Sequence, residues 1–158
     1  MNVPIRSGTR GRDLALRSLT AVALLIDAGV HLHLAPGYQA GSPQGIGQGT
    51  LFLLESAAAA LAALAVLLRG SRTAYAFALL VALSAFAAVV FYRYVDLPAF
   101  GPFPAMYEPV WYPEKTVSAI AEGAGVALAG IGLAWTRHAG QPSPAGPPVR
   151  RRPDRPPS

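Results

Sequence analysis

The chain has 158 residues, 53% hydrophobic and only 13% charged, about half the charged fraction of an ordinary soluble domain, so it reads as lipid-embedded with little left for a soluble domain. It contains no cysteine, which excludes disulfide, thiolate–metal and thiol-redox chemistry, and with them the vitamin K epoxide reductase-like and disulfide-forming membrane enzymes. The net charge of +5 sits beside apolar segments and in a proline-rich tail, so it points to anionic lipid at a membrane surface and not to nucleic acid.

Residues 1–13 form a basic segment with Arg6, Arg10 and Arg12. The apolar run 14–34 that follows is longer than a signal-peptide core, carries Asp27, and ends without a small-x-small cleavage pattern, so it reads as a retained membrane helix. The loop at 35–49 has no charged residue. A second helix is expected over 50–68, with Thr50 as its N-cap, Glu55 near its start and an alanine-rich middle. Arg69-Gly70-Ser71-Arg72 is a tight basic turn into a third helix, 73–92, which ends in Phe91-Tyr92-Arg93-Tyr94, an interfacial mixture of aromatics and a cation.

The connection 95–115 holds five prolines and five aromatic residues, at 100, 103, 107, 111 and 112. That composition suits either a compact cap on the membrane surface or an interfacial loop. The fourth helix is expected over 116–136, with Glu122 among Gly123, Gly125, Gly130 and Gly132, small residues that let helices approach closely. Residues 139–158 read as a disordered proline- and arginine-rich cytoplasmic tail. The expected fold class is therefore an all-α membrane protein, a bundle of four transmembrane helices spanning 14–138. Helices are favoured over a barrel because no ten-residue alternating segments occur.

In that order of helices, eleven arginines fall on the side of the termini and the 69–72 turn, against Arg93 and Lys115 on the other. The positive-inside rule then puts both termini in the cytoplasm of a multi-pass cell-membrane protein. It also brings the ionisable residues of the apolar segments to a common depth. Asp27, Glu55 and Glu122 each lie five to seven positions inside the expected outer helix ends, roughly 8–11 Å, and Arg93 closes the third helix at that side. Asp27 and His31 are four apart and share a helix face, whereas His33 points nearly the opposite way.

Asp27, His31, Glu55 and Glu122 are the candidate ligand set, of the His-plus-carboxylate kind that takes a divalent metal, with Arg93 as a cationic partner. The same residues could instead form an ion-paired network that ties helices together. Three carboxylates and one arginine in a low dielectric cannot all stay charged without a bound cation or protons. Paired haems are disfavoured, because the inner half offers only His138; a single haem on His31 or His33 is the weaker cofactor option.

His31-Leu32-His33-Leu34-Ala35-Pro36-Gly37-Tyr38 and the run from Tyr112 to Glu122 resemble small four-helix integral membrane proteins of high-GC bacteria over about 13–137. In architecture alone the chain is similar to DoxX-like proteins, some of which are subunits of membrane quinone oxidoreductases. The resemblance transfers no catalytic residue. Two functional expectations stand side by side. One is a non-catalytic subunit or interaction partner of other membrane proteins, or of a second copy of itself, in which the polar layer is structural. The other is a component that binds a cation, a proton or a redox cofactor, in metal handling or quinone-linked chemistry.

Overall fold

Hydrocarbon offers no partner for backbone polar groups, so an apolar segment in a membrane must satisfy them internally, as helix. The computed structural model describes residues 7–39, 46–101 and 104–139. It contains four helices, α1 (Ser7–Gln39), α2 (Gln48–Arg69), α3 (Arg72–Tyr94) and α4 (Pro113–Ala139). All four are long and apolar enough to cross a membrane. No strand occurs among the described residues, only a single bridge between Leu97 and Met106. The proline-rich tail beyond 139 and the first six residues of the basic segment lie outside the described residues.

Each helix is longer than its apolar run. α1 starts at Ser7 rather than at residue 14, and an Asp13–Arg17 ion pair of 2.7 Å supports this polar first stretch. It also continues through Pro36 to Gln39 instead of stopping at 34. A proline this near the helix end removes one donor and leaves the last turn otherwise intact. Thr50 is not the N-cap of α2: Gly47 holds that position in extended backbone, and the Thr50 hydroxyl lies inside the helix, donating to Gln39 Oε1 at 3.2 Å. α4 begins at Pro113, where a fixed φ and a missing N–H cost nothing.

The helices pack in a ring, α1 against α2 and α4, and α3 against the same two. Side-chain size decides what faces inward. Ala59, Ala62, Ala78 and Ala129 are fully buried, while Leu54, Leu61, Leu80 and Leu68 point outward, Leu68 with 72% of its surface exposed. A water-soluble bundle would bury its leucines; here small residues make the close contacts and large ones face the lipid.

α2 and α3 are joined by Gly70, whose φ of 54° closes α2, and by Ser71, whose hydroxyl accepts from Ala74 N–H at 3.2 Å to open α3. The Arg17 side chain lies against Gly70, so the start of α1 and the 69–72 turn share one end of the bundle, the arginine end. The loop end carries the connections from α1 to α2 and from α3 to α4. The latter folds back on itself: Leu97 and Met106 exchange backbone hydrogen bonds of 3.3 and 3.0 Å, Glu108 N–H donates to Tyr92 O at 2.9 Å, and Gln48 Nε2 reaches Ala105 O at 2.9 Å.

A tight contact between helices involves Gly132 of α4, where an added Cβ would run into the buried ring of Tyr75 on α3. Gly130, two positions away, faces open space. Gly132→Ala is therefore expected to destabilise the bundle by about 1–3 kcal/mol, whereas Gly130→Ala leaves it unchanged or slightly more stable. Thermal unfolding of the two variants in mild detergent checks the difference.

Candidate cation site at the loop end

The core of the site is the seam between α1 and α4. Asp27 of α1 and Glu122 of α4 are both only 1% exposed. Between them stands Ser118, one helical turn before Glu122, with its Oγ 2.9 Å from Asp27 Oδ1 and 2.9 Å from Glu122 Oε1. A hydroxyl has one proton to donate, so Ser118 serves one carboxylate at a time. The other contact is complete only when a proton is supplied from elsewhere.

His31, one turn after Asp27, places Nδ1 2.9 Å from Asp27 Oδ1 and 3.1 Å from the Asp27 carbonyl oxygen. Both neighbours are acceptors, so Nδ1 carries the proton and donates, and Nε2 is the ring's remaining acceptor. The imidazole is held edge-on against Phe52 of α2, with ring centroids 5.1 Å apart. Ligand atoms of Asp27, His31 and Glu122 come within 4.8 Å of one another, close enough to share one ion.

Glu55 of α2 stands outside that tight group. It is near enough to Asp27 and His31 to feel their charges, and it lines the same cavity as His31 and Glu122. Three buried carboxylate oxygens, Asp27 Oδ2, Glu55 Oε1 and Glu122 Oε2, have no hydrogen-bond partner. Buried polar atoms in folded proteins are nearly always satisfied, and an exception marks strain, function or an absent ligand.

Arg93 does not close the cluster. Its guanidinium stacks on Tyr94 at 5.2 Å, and no ion pair joins it to a carboxylate among the described residues. His33 is exposed while Asp27 is buried, so it lies off the face that Asp27 shares with His31, as the helical spacing predicts. Measured from the observed helix ends, Asp27 lies twelve residues before Gln39 and Glu122 nine after Pro113, roughly 18 and 14 Å along their helices.

Above the cluster is a cavity of about 550 Å³. Its floor is His31, Glu55, Ser118 and Glu122; its walls are mainly apolar and aromatic, including Leu51, Phe52 and Tyr92. At the rim, Tyr38 donates to Glu108 Oε2 at 3.0 Å and lies 2.9 Å from the Tyr112 hydroxyl, so Tyr112 donates to Tyr38. Burial pushes the Tyr112 phenol above its ordinary value, which keeps it a neutral donor. This chain of two phenols ties the last turn of α1 to the segment that covers the cavity. Lys115 is buried on the same side, donating through Nζ to the Glu108 carbonyl.

Ser118 and the Tyr38–Tyr112–Glu108 chain escape a reading of the sequence alone. Ser118 had a signal, its spacing of four before Glu122, but serines in membrane helices commonly bond their own backbone. The tyrosines gave none, because their partners are 70 and 74 positions away.

Fold and site together define a four-helix membrane protein with a buried acid–imidazole cluster under a mainly apolar cavity. In comparisons with known proteins, no family, no curated protein and no solved structure matches the chain.

Proposed function

We propose that the chain is a multi-pass protein of the cell membrane, its termini cytoplasmic, that holds a cation at Asp27, His31 and Glu122 in the outer half of the bilayer, with Glu55 on the cavity side. The orientation follows from the arginines: Arg10, Arg12, Arg17, Arg69, Arg72 and Arg137 belong to one end of the bundle, the end that faces the cytoplasm. A DoxX-like kinship and a quinone link would rest on architecture alone and add no residue to this site.

One observation carries the reading. Three carboxylate oxygens sit buried without a donor around a single imidazole. Excess negative charge in low dielectric requires compensation, by protons or by a cation. The donor set, one imidazole and carboxylates, suits manganese, iron or zinc, and equally an N–H cation. The cavity provides a way in from the loop end.

The competing reading, a non-catalytic subunit whose cluster is a structural tie, draws on the Ser118 bridge between α1 and α4. The two differ in what charge removal does. The double variant Asp27→Asn, Glu122→Gln keeps the shapes and brings its own N–H donors. For a cation site it should unfold at or above the wild-type temperature in cation-free buffer. Wild type alone should then be stabilised by a member of a panel of manganese, zinc and organic ammonium chlorides, by about 2.7 kcal/mol at a hundredfold excess over Kd. For a structural tie the variant is less stable under every condition, and no cation protects the wild type. Reporters fused at Gly41 and at the C-terminus should in addition report opposite sides of the membrane.

A further inference from the structure

The cluster is built on one side only. Asp27 and His31 come from α1, and Ser118 and Glu122 from α4. A metal ion needs ligands around it at about 2.0–2.6 Å, yet opposite these residues the protein offers open volume and mainly apolar walls in place of further ligands. Glu55, which could complete a cage, stands outside the group that shares 4.8 Å. A cavity of about 550 Å³ is far larger than an ion requires and falls within the roughly 300–1,000 Å³ of small-molecule sites.

The acceptors on the cavity side match a particular head group. Glu55 and Glu122 each have a buried carboxylate oxygen without a partner, and both residues line the cavity beside His31. Carboxylates short of donors are the complement of an ammonium head, whose N–H groups supply charge-assisted hydrogen bonds. Phe52 and Tyr92 on the mainly apolar walls suit an apolar body. At the far side of the cavity stands Lys115, seven residues before Glu122 on α4, roughly 10 Å nearer the loop end. Glu108 lines the same end, so that end carries charge of both signs.

We infer that the cation of this site is an organic ammonium on an apolar, ring-sized body that fills the cavity beside Phe52 and Tyr92. This rests on reading the cluster as a cation site and names the class of cation.

The test uses the full chain in phosphatidylcholine nanodiscs, with calorimetric binding and thermal unfolding read for four probes: 2-phenylethylamine, phenylacetate, 1,5-diaminopentane and manganese chloride. 2-Phenylethylamine should bind one per chain and raise the unfolding temperature, while phenylacetate does neither and 1,5-diaminopentane, with no ring to fill the cavity, binds at least about tenfold more weakly. Glu122→Gln should weaken the amine by about ten- to a hundredfold, the loss of a charge-assisted hydrogen bond. Ala88→Phe, which fills the cavity from α3, should abolish amine binding; because that variant could misfold, Glu122→Gln tests the same site independently. Manganese binding without amine binding would overturn the inference and leave the cation reading intact. Binding of none of the probes would overturn the inference, and with no protection by zinc or iron either, the cation reading as well. Equal binding of phenylacetate and the amine, or amine binding indifferent to Glu122→Gln, would reduce the effect to ring partitioning and overturn the inference alone.

Discussion

The organisation of the bundle depends on a surplus of buried negative charge at one seam. Asp27 and Glu122 are withdrawn almost completely from solvent, share a single serine hydroxyl, and face one imidazole. Desolvating a carboxylate costs several kcal/mol even after the protein relaxes, and neighbouring carboxylates raise that cost further. The seam is stable only if a positive charge, a proton or a cation, completes it. Every other feature of the loop end is arranged around that requirement. α1 and α4 must approach closely enough for Ser118 to touch both acids. Phe52 fixes the imidazole, and the Tyr38–Glu108–Tyr112 chain holds the covering segment in place.

The two ends of the molecule thus do different work. Toward the arginine end the core is alanine, Val66 and the Tyr75–Gly132 contact, a close-packed interior with leucines turned to lipid. Toward the loop end packing opens into a cavity whose polar atoms are concentrated on its floor. Structural glue alone would be an expensive explanation for that floor. Interhelical hydrogen bonds in membranes are worth roughly 1 kcal/mol or less, and a bridge between Asp27 and Ser118 would suffice without Glu122 and Glu55 beside it.

Much of this was legible from residue order. The four apolar runs and the arginine bias follow from composition along the chain, and the shared face of Asp27 and His31 and the outward face of His33 from helical periodicity, all of it local and therefore readable. The helix ends were not, because polar stretches such as Ser7–Asp13 and the turn containing Pro36 become helical through an ion pair or tertiary anchoring instead of apolar content. Thr50 had the side chain for an N-cap, but Gly47 had the backbone position. Arg93 shared the right end of the bundle with the acids and stacks on its neighbour Tyr94 instead, since sequence gives depth along a helix and not the direction a long side chain takes. The division of the acids into a tight pair and a separate Glu55 likewise depends on how α2 is rotated, which no linear spacing records.

Infrared difference spectroscopy of the protein in lipid reads the buried carboxyl groups directly. The expected result is a carboxylic-acid C=O band in the cation-free protein that is lost when a bound cation replaces the proton, and that is missing from Glu122→Gln. A cation-free protein without such a band, or one whose band is unchanged at saturation with a cation, would contradict charge compensation as the basis of the site.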